Sequence, residues 1–193
     1  MQRVVQSVLV LLFVLTVSAS SLFAASDAEL KKMGVFLSNF TELGLYDLDE
    51  SDRYADELIY FGIWHNYVNN YKSRIKDCAD CRWGSLKLDG RHAQESVKKY
   101  FGRTPKLASA EYGGQKFHYD GRDFHFEGAD GEQRLYVRVQ EAASDSGRVR
   151  MRGVLYNSET GEETGGACRA LARPSVWQGK KTWTLISLHC ERN

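Results

Sequence analysis

Cys78-Ala79-Asp80-Cys81 is the stretch of this sequence with the most pointed chemistry. Two cysteines with two residues between them can run thiol–disulfide exchange: one thiolate attacks a disulfide and the other resolves the mixed disulfide. Such pairs are activated on the turn into a helix, where the helix N-terminus lowers the thiol pKa. Here the pair follows a helical pattern instead of opening one. Asp77 and Asp80 flank it and raise a thiol pKa, and Arg82 offsets part of that. The same spacing fits a staple across a helix-to-strand connection, and this is the first expectation. Zinc would need two more ligands. Cys168 and Cys190 lie far along the chain with no second C-x-x-C, so zinc is the weaker reading. Cys168 and Cys190 fall on neighbouring strand patterns. The expected pairs are Cys78–Cys81 and Cys168–Cys190, among the three connectivities that four cysteines allow.

Two other groups of residues carry chemistry. His118, Asp123 and His125 share the polar face of a predicted hairpin, and two imidazoles with a carboxylate can hold a metal. Diagonal strand neighbours are roughly 7–8 Å apart, which is wide for a metal site, so solvated sheet residues and no metal are expected. Arg138, Arg148, Arg150 and Arg152 form a basic stripe on two neighbouring strands. It could receive a carboxylate or phosphate, and its plainer reading is an outward face balanced by nearby acids. No G-x-S-x-G, Gly-rich phosphate loop or H-E-x-x-H occurs. No cofactor is expected and no catalytic residue stands out.

The element that must organise these groups is a helix over 54–71. At ~100° per residue its apolar positions Tyr60, Phe61, Ile63, Trp64, Tyr67, Val68 and Tyr71 cover more than half the circumference. A helix that apolar is wrapped by the fold. Its polar arc holds Gly62, His65, Asn66, Asn69 and Asn70. Trp64, His65, Asn66, Tyr67, Asn69 and Asn70 are therefore the candidate ligand contacts, the aromatics as walls and the others as polar groups. Buried amides need partners. Backbone groups across a helix junction are the first expectation for them, ahead of a ligand.

The chain has 193 residues, 42% hydrophobic and 26% charged, enough for one packed domain. Residues 1–25 read as a signal peptide: Arg3, an apolar run over 8–17, then small residues, with cleavage after Ala19, Ala24 or Ala25. The run is short for a membrane span of ~20 residues, and no later segment is long enough to cross a bilayer. Residues 26–193 would form the mature domain, exported to the periplasm or beyond, where an even number of cysteines favours disulfides. The net charge is +1, too little excess positive charge for a nucleic-acid partner.

Ser26-Asp27-Ala28-Glu29 is a capping box before an amphipathic pattern that Gly44 closes. Asp49 or Ser51 can cap the central helix, with Asp52 near its start. A strand is predicted over 85–88, a turn at Asp89-Gly90 and a third helix over 93–101, stopped by Gly102 and Pro105. The period then changes to two. Strands over 115–119 and 122–126 flank Asp120-Gly121 as a hairpin, with Phe117 opposite Phe124 and His118 opposite Asp123. A turn over 128–131 and four further strands follow, the last near 167–173 and 182–190. This order predicts an α+β fold: three N-terminal helices packed on a curved antiparallel β-sheet of about five to seven strands.

FLSNF (36–40), HNYVNNY (65–71), VKKYFG (97–102) and YDGRDFHFEGADGE (119–132) resemble a group of uncharacterised secreted proteins and lipoproteins of bacteria. The resemblance covers roughly 36–155 and implies no established activity. The chain departs from the lipoproteins in lacking a Cys at the cleavage site. Its order of elements resembles an NTF2-like or cystatin-like roll. The functional expectation is a non-enzymatic binding or interaction domain for an unknown small molecule or protein. The alternatives are a thiol–disulfide oxidoreductase using Cys78 and Cys81, and a structural accessory protein of the bacterial envelope.

Overall fold

The computed structural model of the chain describes residues 25–50, 55–129 and 134–192. The predicted leader up to residue 24, the Ser51 cap, the acidic Asp52 near the helix start and the second half of the 128–131 turn lie outside these residues. The elements run α1 (Asp27–Thr41), β1 (Asp47–Leu48), α2 (Ala55–Arg74), β2 (Ile75–Asp77), β3 (Leu86–Asp89), α3 (Gly90–Phe101), β4 (Ala110–Tyr112), β5 (Gln115–Tyr119), β6 (Asp123–Phe126), β7 (Leu135–Asp145), β8 (Arg148–Asn157), β9 (Glu163–Trp177) and β10 (Lys180–Cys190).

The class is α+β, but the single curved sheet does not form. The ten strands make two antiparallel sheets of five, ordered β1-β10-β9-β8-β7 and β2-β3-β6-β5-β4. Nor do the helices all precede the strands. Strand β3 leads into α3 and then pairs with β6 beyond it, so α3 is inserted between two strands of one sheet. Strands β1, β2 and β4 have only two or three residues each, too few for a period of two to register.

Local chemistry sets several boundaries. The Ser26 N–H donates to the Glu29 carboxylate at 3.1 Å, holding the start of α1. Asp89 is not half of a turn: it caps α3, accepting from the Arg91 N–H at 2.9 Å. Gly102 ends that helix at φ 67°, a left-handed conformation that a glycine takes without a Cβ clash. Helix α2 leaves helical geometry at Asn70 (φ −134°), shortly before the chain enters β2.

The β5–β6 hairpin has a different register from the one predicted. His118 pairs with His125 and Tyr119 with Phe124, and the tip is Gly121-Arg122. Asp120 causes the shift. Its carboxylate accepts the Arg122 and Asp123 N–H groups, each at 2.8 Å, which draws the turn one residue further along. A slip of this parity leaves every side chain on its predicted face. Phe117, Phe124 and Phe126 therefore still point into the core.

Helix α1 lies along β7, the last strand of its sheet. Ser38 Oγ accepts the Val137 N–H at 2.9 Å and donates to the Gly34 carbonyl, and Thr41 Oγ1 donates to the Leu135 carbonyl at 2.7 Å. Hydroxyls of a helix thus satisfy edge groups that a sixth strand would otherwise take. Gly34 permits the approach, since a Cβ there would sit 2.7 Å from the Val137 carbonyl oxygen. Replacing Ser38 by Ala is expected to cost about 2 kcal/mol in urea unfolding, because it leaves the buried Val137 N–H without an acceptor.

One core joins the layers. Phe36 and Phe40 of α1, Phe61 of α2, and Tyr100 and Phe101 of α3 meet ring to ring, with centroids 4.8–5.9 Å apart. Two disulfides are present, Cys78–Cys81 and Cys168–Cys190. The second joins directly paired residues of β9 and β10. In the arginine stripe, Arg138 meets Glu163 and Arg150 meets Asp145, while Arg148 and Arg152 stand opposite Asp145 and Glu141. No described helix is long and apolar enough to cross a membrane.

Candidate functional site

The six candidate residues of α2 do not converge on one site. Trp64 and Tyr67 line a cleft of about 400 Å³. Its other walls come from the end of α1 and the segment after it (Glu42, Tyr46), from Tyr60, from Tyr112 of β4, and from Arg134 and Arg192. The cleft thus gathers residues next to both sheets. Three of its tyrosines are fixed by their hydroxyls. Tyr60 donates to the Leu43 carbonyl at 2.7 Å, Tyr112 to Glu57 at 3.0 Å and Tyr67 to the Ala129 carbonyl at 3.3 Å. Tyr60 packs on Tyr112 with centroids 4.9 Å apart, and Trp64 meets Tyr67 edge-on at 4.7 Å.

Trp64 is 5% exposed. Among the described residues, its indole Nε1 is the buried side-chain polar atom with no hydrogen-bond partner. Two guanidiniums supply positive charge to the cleft, and Arg192 lies over the Tyr46 ring at 4.8 Å. Glu42 is the acidic member. Burial pushes its carboxyl up, against the Asn69 amide, Arg134 and Tyr136, which pull it down.

The polar arc of α2 mostly faces α3. Asn66 is fully buried. Its amide donates to the Gly62 carbonyl (2.7 Å), the Ser96 hydroxyl (2.9 Å) and the His92 carbonyl (3.1 Å), and its oxygen accepts from Arg74 at 2.9 Å. It is a tie between helices. His65 stacks on Phe61 and meets Tyr100 edge-on. Burial, then the charges of Lys99 and Arg74, lower its pKa to about 3. Asn69 donates to Glu42 Oε1 at 2.8 Å and lies 3.3 Å from His65 Nδ1. Asn70 borders a separate polar groove with Arg74, Glu95 and Lys99.

A second cluster lies at the β2–β3 connection. His125 of β6 is 7% exposed. Its Nδ1 is 3.1 Å from Cys81 Sγ and its Nε2 is 2.8 Å from Asp120 Oδ2. The carboxylate beside His125 is Asp120, not the predicted Asp123. The His125 hydrogen bond, and then the two turn N–H groups, hold the Asp120 carboxyl well below the usual carboxylate range. His118 lies beneath the Trp83 ring, with centroids 3.6 Å apart. Cys78, Cys81 and His125 offer three ligand atoms within 4.8 Å of one another. Reduced, they would be two thiolates and an imidazole, a soft set suited to zinc, with Asp120 orienting the imidazole. Bridged, the sulfurs are not thiolate ligands.

Sequence reading missed Glu42 and the contact of His125 with Cys81. The two partners are 44 residues apart, and no spacing signals such a contact. Comparison with family models, with curated proteins and with solved structures returns no match for this chain.

Proposed function

We propose that this chain is an exported domain with a non-catalytic binding cleft. Its aromatic cleft takes a small molecule or peptide segment that combines a flat apolar group with a carboxylate. The observation that carries the reading is the cleft itself: Tyr60, Trp64, Tyr67 and Tyr112 wall it, and Arg134 and Arg192 border it. Aromatic walls with a few polar groups are the usual make-up of small-molecule sites. The tyrosine hydroxyls are turned back into the protein, so their rings are what a ligand meets. Arg134 and Arg192 suit its carboxylate. The apolar N-terminal stretch and the two disulfides support export.

Titrating N-acetyltyrosine and its amide into the protein tests this, followed through the Trp64 indole N–H resonance and assigned with Trp64→Phe. The acid is expected to shift that resonance at millimolar concentration and to bind at least ~10-fold more tightly than the amide. Arg192→Ala should remove that preference. No shift with either probe up to 20-fold above ~1 mM would overturn the proposal.

A further inference from the structure

Cys78–Cys81 is built differently from Cys168–Cys190, and the difference lies in what surrounds each pair. Cys168 is 2% exposed and its bridge spans two long paired strands. Cys78 and Cys81 are half-buried and close the short β2–β3 connection, where the Cys78 N–H donates to the Ser85 carbonyl at 2.8 Å. Beside Cys81 stands an oriented imidazole. With Nε2–H donated to Asp120, His125 presents the Nδ1 lone pair to the sulfur at 3.1 Å. Asp120 is itself fixed, since its other oxygen accepts two turn N–H groups. Thiol, imidazole and orienting carboxylate in sequence is the arrangement that activates a nucleophilic sulfur. In the β6 register, His125 stands opposite Lys87 and His118. Asp77, Asp80 and Arg82 are the other charges next to the pair in sequence.

We propose that Cys78–Cys81 is a redox-active disulfide, that Cys81 is the sulfur activated by His125, and that its substrate is a dithiol peptide. A thiolate of the substrate attacks Cys78 Sγ. An S–S bond forms between substrate and Cys78 while the Cys78–Cys81 bond breaks, and Cys81 leaves with the electron pair. His125 Nδ1 takes up the proton that the attacking substrate thiol has lost and passes it to the departing Cys81 thiolate. The second substrate thiolate then attacks the substrate sulfur bound to Cys78. The substrate leaves as its disulfide, and Cys78 leaves as a thiolate that takes a proton from solvent. Two electrons pass from the substrate to the protein, the substrate being the reductant. A second disulfide, of a small molecule or another protein, reoxidises the pair by the reverse steps.

The surroundings suit a peptide. Trp83, two residues beyond Cys81, is 47% exposed. With Glu111, Lys116 and His118 it lines a groove of about 550 Å³. An aromatic face with charges of both signs can seat an extended segment next to the sulfur. A disulfide serving only as a staple needs neither the oriented imidazole nor the groove.

The experiment is a graded reduction of the folded protein with dithiothreitol, thiols being trapped by iodoacetamide and located by peptide mass spectrometry. Cys78–Cys81 should open while Cys168–Cys190 stays closed. In the partly reduced protein, Cys81 should alkylate at pH 7 at least ~10-fold faster than Cys78. His125→Gln should abolish that difference. Because His125 is buried, Asp120→Asn provides a second test: it keeps the turn acceptor at Oδ1 and should slow Cys81 alkylation several-fold while the circular dichroism spectrum stays unchanged. Both bridges opening together would overturn the proposal. So would equal alkylation of Cys81 in wild type and in folded Asp120→Asn.

Discussion

Asn66→Ala is expected to lower the unfolding free energy by about 3 kcal/mol, the largest loss for any polar side chain of α2. Asn66 is itself fully buried, its two amide N–H groups face three acceptors, and its oxygen accepts one hydrogen bond. Each hydrogen bond contributes only ~1 kcal/mol net, and a buried polar group left short of a partner adds ~1–3 kcal/mol. The Gly62 and His92 carbonyls and the Ser96 hydroxyl lose a donor, and Arg74 loses an acceptor. A tightly packed seam leaves little room for water to stand in: a Cβ at Gly62 would lie 2.8 Å from the Ala93 carbonyl oxygen. At ~2–4 °C per kcal/mol for a domain of this size, the melting temperature should fall by roughly 10 °C. Urea unfolding at an unchanged m-value would measure it. Asn69→Ala is the comparison: Asn69 is exposed and bonds the half-buried Glu42, so under ~1 kcal/mol is expected. Equal losses for the two variants would show that the α2–α3 seam does not depend on Asn66.

Acid should destabilise the fold well before its carboxylates are titrated, through His65. The folded pKa is lowered to about 3 from an ordinary value of 6.5. Above pH 6.5 neither state binds the proton and nothing is lost. Between 6.5 and 3 the unfolded chain takes up a proton that the folded chain refuses, so stability falls as pH falls, by at most ~1.4 kcal/mol per pH unit. Over the whole window this amounts to a few kcal/mol. The groups packed around the ring reinforce the refusal: Lys99 and Arg74 are cationic, and Phe61 and Tyr100 are apolar on their faces. Glu42 acts in the opposite sense. Its folded pKa is raised, so its contribution is full below about 4.5 and is lost as pH rises through the folded pKa. It opposes His65 only in the lower part of the window. Asp89 and Asp120 are held low and begin to lose their share only below about pH 4. Urea unfolding at pH 7, 5.5 and 4, with His65→Gln beside wild type, isolates the effect. A slope shared by both proteins would place the acid sensitivity elsewhere.

Much of the secondary structure was legible because its signals are local. The Ser26–Glu29 box, the apolar spacing of α1 and Gly102 after α3 each act within a few residues. The two sheets were not legible, because the pairing of β3 with β6 is made across α3 and leaves no trace in either strand alone. Asp120 was read as a turn former and is one, but its carboxylate also sets the register and orients His125. For the site, Trp64 and Tyr67 were named as walls, and the cleft does contain them. For the four polar candidates, backbone partners across a helix junction were expected ahead of a ligand, and the sequence could not choose between them: amides four apart share a face of a helix, and only the neighbour that covers that face decides what they bind. For Asn66 that neighbour is α3.

The pairing of β1 with β10 has a consequence for how the molecule is made. Asp47 and Leu48 bond to His189 and Leu188, and the Tyr46 carbonyl accepts the Cys190 N–H at 2.8 Å, so the first strand waits for the last. The same last strand supplies Trp183 against Phe36 of α1. Contacts this distant in sequence slow folding, since the entropy of closing the loop is lost before the contact rewards it. While the chain is emerging from a ribosome, the helices can form but the five-stranded sheet containing β10 cannot be completed. Closure of that sheet therefore comes late, and the Cys168–Cys190 bridge then fixes β9 to β10.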